Sequence, residues 1–172
     1  PGVAGSEAAE LVAAPPQAVL IGMTGKPTLD FDRSIRAQRK GLPLYALSIM
    51  GAAETLKSLG DDAVGITISQ VVPSPSKKAL PIVRDFQRDW KSANAGVDPS
   101  HVALEGYINA RVFADALSRA GRNPTRAGFI DSTWSMRNHD MGGFEVSFTE
   151  PGRAASRLVD LTMVGRDGRF IR

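Results

Sequence analysis

PQAVLIGMTGKPTLDFDRSIRAQRKGLPLYAL, residues 16–47, reads as strand, helix, strand. Ala18 to Ile21 is an apolar run too short for a helix and fits a buried strand. Thr28 to Lys40 has a helical pattern, with Asp30 and Asp32 in its first turn and Arg36, Arg39 and Lys40 in its last. That placement complements the helix dipole at both ends, and Gly41 supplies the stop. Leu42 to Leu47 is then a second strand, and a strand–helix–strand unit implies parallel pairing through a right-handed crossover.

The same pattern continues on both sides. Upstream, Ser6 to Ala14 forms a short amphipathic helix ended by Pro15-Pro16. Downstream, Gly51 to Leu59 is a helix capped by Gly60, and Val64 to Val72 is a third strand carrying Val64, Ile66 and Ile68. The expectation is a parallel α/β sheet with helices on both faces. Pro73 and Pro75 break the rhythm, and three helices follow, over Ala79 to Ser92, Pro99 to Ala120 and Thr125 to Met136. Leu104, Tyr107, Ile108 and Val112 form one stripe on the middle helix, joined by Ile82, Val83, Phe86, Phe129 and Ile130 from its neighbours. No strand lies among these helices, so their cover is expected from outside this chain, from an absent N-terminal half or a second copy. After Gly142-Gly143 the period returns to two: Phe144, Val146 and Phe148 face one way, and Glu145, Ser147 and Thr149 the other. Leu158 to Val164 is a last strand, turned by Arg166-Asp167-Gly168-Arg169 into a hairpin that returns through Phe170.

Composition narrows the function. Among 172 residues, 42% are hydrophobic and 23% charged, the balance of a packed globular chain. Lys and Arg exceed Asp and Glu by only 21 to 18, scattered rather than massed, which argues against a nucleic-acid surface. The absence of Cys excludes disulfides and thiol chemistry. No segment reaches the ~18–20 apolar residues of a membrane helix. The opening Pro1-Gly2-Val3-Ala4-Gly5, without initiator Met or signal sequence, suggests a processed or partial chain.

Chemistry-bearing motifs are few. Gly22-x-x-Gly25-Lys26 sits where a phosphate loop would, but a Walker A loop needs four residues between its glycines and a hydroxyl after the Lys, where Pro27 stands. His101 and His139, the two histidines, lie in polar helix-end or loop contexts suited to solvated imidazoles. Ser132 and Ser135 are near His139 in sequence, yet no nucleophile elbow accompanies them. No His, Asp and Glu group has metal-ligand spacing. Neither an enzyme activity, a metal nor a cofactor is expected. What remains is the rule that ligands of open parallel sheets sit beyond the carboxyl ends of the strands.

Taken in order, Pro16-Gln17-Ala18-Val19-Leu20-Ile21, Gly60-Asp61-Asp62-Ala63-Val64-Gly65-Ile66, Ser69-Gln70-Val71-Val72-Pro73-x-Pro75, Leu104-Glu105-Gly106-Tyr107-Ile108-Asn109-Ala110-Arg111 and Asp167-Gly168-Arg169-Phe170 resemble a known family. It is that of the type I periplasmic solute-binding proteins of ABC importers, in the branch related to the leucine/isoleucine/valine-binding protein. The similarity spans the whole chain but corresponds to the second half of such a protein. The resemblance implies a bilobal fold of two Rossmann-like lobes, with residues 1–72 as the later part of the second, C-terminal lobe. Residues 73–141 would then be helices of the first lobe, and 142–172 a crossover strand and hairpin returning to the second. It implies an extracytoplasmic or periplasmic protein that delivers a small molecule to an ABC permease, or, alternatively, a ligand-sensing regulatory domain of the same fold. Ligand contacts would come from Met23, Thr24 and Gly25, from Ser48, Ile49 and Met50, and from Gln70. The plainer alternatives are that Thr24 and Gly25 cap the following helix and that Met50 belongs to the core. Amino-acid binders of the family carry an acidic partner for the ligand's ammonium group where Ser48 stands here, and the next acid is Glu54. An aromatic or aliphatic carboxylate or an amide is therefore as admissible as an amino acid.

Overall fold

The computed structural model describes residues 3–14 and 16–171. They form two compact units, Pro1–Gln70 with Val159–Arg172, and Val71–Leu158.

The first unit runs α1 (Val3–Ala13), β1 (Val19–Ile21), α2 (Lys26–Gln38), β2 (Leu44–Ala46), α3 (Ala53–Leu59) and β3 (Thr67–Gln70). β1, β2 and β3 are parallel neighbours, in the register Leu20↔Tyr45 and Tyr45↔Thr67. α2 begins two residues before the sequence pattern suggests, because Pro27 sits in the first turn, where its missing N–H costs nothing. Asp30 and Asp32 consequently fall outside the first turn, and Asp32 is buried. The third strand is shorter than 64–72: a 3-10 turn at Gly60–Ala63 and a bend delay it to Thr67. Another 3-10 turn, Ser48–Gly51, takes the place of the expected first helical residues before α3.

In the second unit, α4 (Pro81–Ala93), α5 (His101–Arg119) and α6 (Arg126–Trp134) are followed by β4 (His139–Asp140) and β5 (Glu145–Val146), an antiparallel pair. Phe144 and Val146 are buried and Glu145 exposed, so the alternation read in the sequence holds, though the strand is only two residues long. Residues 142–158 pack in this unit with 71–141. The expectation that the helices need outside cover is corrected for the stripe that prompted it. Ile82, Val83, Phe86, Leu104 and Ile108 are buried against one another and against Val72, Met141, Phe144 and Val146 of the same unit. The β4–β5 hairpin supplies what a sheet was expected to supply. Val102, Phe113, Leu117 and Ile130 do remain exposed.

The chain returns to the first unit through β6 (Asp160–Val164), antiparallel to β3, and β7 (Phe170–Ile171), antiparallel to β6. Gly168, at φ 73°, makes the turn between them, with the Gly165 N–H donating to the Arg169 carbonyl at 2.8 Å. The sheet order is β1-β2-β3-β6-β7.

Among the described residues of this unit, the helices cover one face of the sheet. Ala8, Leu11 and Val12 of α1, Phe31 and Ile35 of α2, and Leu56 and Leu59 of α3 join one core with Val19, Ile21, Leu44, Ala46, Ile66, Ile68 and Val164. Right-handed crossovers that always step in one direction leave every helix on the same face. The opposite face carries Leu20, Tyr45, Leu161, Met163 and Ile171, between 40 and 70% exposed.

Candidate functional site

Because β1, β2 and β3 are parallel, the segments that follow them lie at one end of the sheet. Strands about 4.8 Å apart put the outer two of these ends about 10 Å apart, the span of a small molecule. Met23, Thr24 and Gly25 follow β1, Ser48, Ile49 and Met50 follow β2, and Gln70 ends β3.

Thr24, Gly25 and Ile49 are exposed, Ser48 is half-buried, and Met23 is half-buried against the core. Gly25 caps α2, with φ 69° and ψ −153° and its carbonyl accepting from the Thr28 N–H at 3.1 Å. A side chain there is strained whatever space it has, so glycine fits the tight entry into the helix. Thr24 makes no cap: no side-chain bond closes the N-terminus of α2. Met50 is a core residue, and its N–H holds the turn by donating to the Leu47 carbonyl at 2.9 Å. Gln70 is also buried. Its Nε2 donates to Thr162 Oγ1 at 3.0 Å, and Thr162 Oγ1 donates in turn to the Ile68 carbonyl at 3.3 Å. Gln70 Oε1, buried too, has no hydrogen-bond partner.

The set contains no titratable side chain. Lys26, the nearest charge in sequence, is 82% exposed and paired with Asp30 at 2.6 Å. Hydroxyls, an amide, backbone groups and apolar surface can hold a ligand, but they offer no acid, base or activated nucleophile.

Both histidines depart from the sequence reading. His101 is buried at the start of α5. His139, half-buried in β4, lies between Asp115, 3.0 Å from Nε2, and Arg119, 3.3 Å from Nδ1. A guanidinium only donates, so Nδ1 accepts and the Nε2–H donates to Asp115. Ser132 and Ser135 spend their hydroxyls on the Gly128 and Ser132 carbonyls, each at 2.7 Å. The Asp115–His139–Arg119 chain pins β4 to α5, and its residues stand too far apart in sequence for spacing to have revealed it. Among the described residues no group of three or more His, Cys, Asp or Glu is placed to hold a metal, and no helix is long and apolar enough to cross a membrane.

This chain belongs to the periplasmic binding protein family, whose pattern matches residues 4–169. Solved structures agree. An extracellular ligand-binding receptor from Verminephrobacter eiseniae is 31% identical, with a TM-score of 0.83 over 98% of this chain and 48% of its own. A substrate-binding periplasmic protein from Ralstonia solanacearum is 33% identical, with a TM-score of 0.80 over 98% and 49%. A possible leucine/isoleucine/valine-binding protein from Rhodopirellula baltica is 27% identical, with a TM-score of 0.85 over 96% and 46%. The chain spans about half the length of these relatives. No curated protein matches it.

Proposed function

We propose that this chain is one half of an extracytoplasmic solute-binding protein serving an ABC importer. Its first unit forms the second lobe's wall of an interlobe cleft, and its second unit is part of the first lobe. The observation that carries the reading is the convergence of uncharged loops at the carboxyl ends of three parallel strands, within about 10 Å, in a chain of this family. Met23, Thr24, Gly25, Ser48 and Ile49 would line the ligand. Met50 and Gln70 would act from beneath, as packing and as support of the Ser48–Gly51 turn. The N-terminus of α2 opens toward the same end and favours a carboxylate. With Ser48 in place of an acid, an aromatic or aliphatic carboxylate or an amide suits the wall as well as an amino acid does.

One wall of a two-walled cleft leaves its ligand half solvated, so affinity for the chain alone should be near millimolar, about 4 kcal/mol. Titrating the labelled chain with leucine, valine, benzoate, octanoate and benzamide, while following backbone amide shifts, tests this. At least one ligand should move the amides of residues 22–25 and 47–51 in a saturable way and be recovered unchanged. If none moves them, or if the shifts cluster in residues 71–158, the reading is wrong.

A further inference from the structure

The second unit holds a pocket of its own, about 420 Å³ in volume, within the size range of small-molecule sites. One wall is the outward face of the β4–β5 hairpin. Phe144 and Val146 are buried in the core, so by alternation Glu145 and Ser147 face the pocket, with Asn138 beside them. This wall is set in advance: Asn138 holds a left-handed backbone, φ 46°, and His139 after it is anchored to α5 through Asp115 and Arg119. The other wall is the segment from Arg153 to Leu158, held across the strand by the Ser147 N–H, which donates to the Ala155 carbonyl at 2.7 Å. All these lining residues belong to the second unit.

Its polar atoms are unevenly used. Ser147 Oγ accepts from the Asn138 N–H at 3.2 Å, and Ser156 Oγ accepts from the Leu158 N–H at 3.2 Å. A hydroxyl that accepts still has one hydrogen to give, and neither serine donates its own to any described residue. Ser132 and Ser135, by contrast, donate theirs to backbone carbonyls. Among the charged side chains of the pocket, Arg153 is paired with Glu150. Arg157 and Glu145 are exposed and pair neither with each other nor with any other described residue. The free donors are therefore a guanidinium and two hydroxyls, a set that takes a carboxylate. The free charged acceptor is the Glu145 carboxylate, which takes an ammonium group.

We propose that this pocket is a second ligand site, which takes a small zwitterion such as a free amino acid, its carboxylate held by Arg157, Ser147 and Ser156 and its ammonium group by Glu145. The two free charges cancel, so a ligand of zero net charge that carries both groups answers each of them. Phosphate or another dianion answers Arg157 but brings its charge up to Glu145. An apolar ligand leaves both charges and both hydroxyls without a partner. Unlike the strand ends of the first unit, which carry no titratable side chain, this pocket offers a partner to each charge of an amino acid.

Leucine, isocaproate and isoamylamine share one carbon frame and differ in carrying both charged groups, the carboxylate alone or the ammonium group alone. Each is titrated into the labelled chain while backbone amides are followed. Leucine should shift the amides of residues 143–147 and 153–157 in a saturable way. Isocaproate and isoamylamine should bind there about tenfold more weakly or worse, since each leaves one charge unanswered. Arg157→Gln should weaken leucine about tenfold, and Glu145→Gln should weaken it by a similar factor while leaving isocaproate unchanged or tighter. Both side chains are exposed, so both variants should melt like the parent, and the comparison of the three compounds needs no variant. The proposal is overturned if leucine leaves these amides unmoved, or if isocaproate or inorganic phosphate binds there as tightly as leucine. It is overturned too if Glu145→Gln weakens leucine and isocaproate alike. Shifts at residues 22–25 and 47–51 report the strand ends separately, so this proposal and the ligand-binding reading can fail independently.

Discussion

Phe86→Ala is expected to lower the stability of the second unit by about 3–5 kcal/mol, the range for emptying a buried aromatic site. Phe86 is 1% exposed and lies among Ile82, Val83, Leu104 and Ile108. Its ring centroid is 5.4 Å from that of Tyr107 and 5.6 Å from that of Trp90, both tilted, so the substitution removes two aromatic contacts along with the buried volume. A loss of that size is a large share of the ~5–15 kcal/mol that holds a typical domain. The chain's two tryptophans, Trp90 and Trp134, both belong to this unit, so tryptophan fluorescence reports on it. The fluorescence-detected urea midpoint should fall by roughly 1–3 M. A fall below about 0.5 M would mean that Phe86 does not anchor this core.

The core around Phe86 also marks the limit of what the sequence discloses. Ile82, Val83, Phe86, Leu104 and Ile108 are recognisable as an apolar set from helical spacing alone. What covers them is not, because the cover is a hairpin whose two strands are two residues each. Such a ladder depends on packing rather than on propensity. β1 and β2 were readable because an apolar run of a few residues between Pro or Gly signals has few alternatives. The charge pattern that marks a helix from Thr28 carries no sign of its first two residues, Lys26 and Pro27, although the first turn is where a helix accepts proline. Helices on both faces were expected from the fold class, although three successive strands stepping one way already require one face. In the candidate site, Met23 to Gly25 and Ser48 to Ile49 were locatable as loops after strands. The burial of Gln70 was not, since its partner Thr162 is 92 residues away along the chain.

Asp32 supplies the second large effect, and it makes stability depend on pH. Its carboxylate is buried on α2, and no protein group donates a hydrogen bond to either oxygen. Burial raises its pKa to about 6; Arg36 pulls the value down, Asp62 adds to the rise, and Arg33 again lowers it. An unfolded aspartate titrates near 3.9. Between about pH 4 and 6 the folded chain therefore holds a proton that the unfolded chain has released, so stability falls as pH rises through that window. The penalty is absent below about pH 4 and complete above about pH 7, where a shift of about two units corresponds to roughly 2–3 kcal/mol. Asp32→Leu, which fills similar volume without a charge, should thus stabilise the chain by about 2 kcal/mol at pH 7.5 and by almost nothing at pH 4. Arg36 stays anchored in that variant through the Lys40 and Val64 carbonyls, at 3.1 and 3.3 Å, so removal of the carboxylate does not strand its charge. Urea titrations of parent and variant between pH 4 and 8 read the difference directly. A gap that stays constant across that range would show that Asp32 is not the group that titrates.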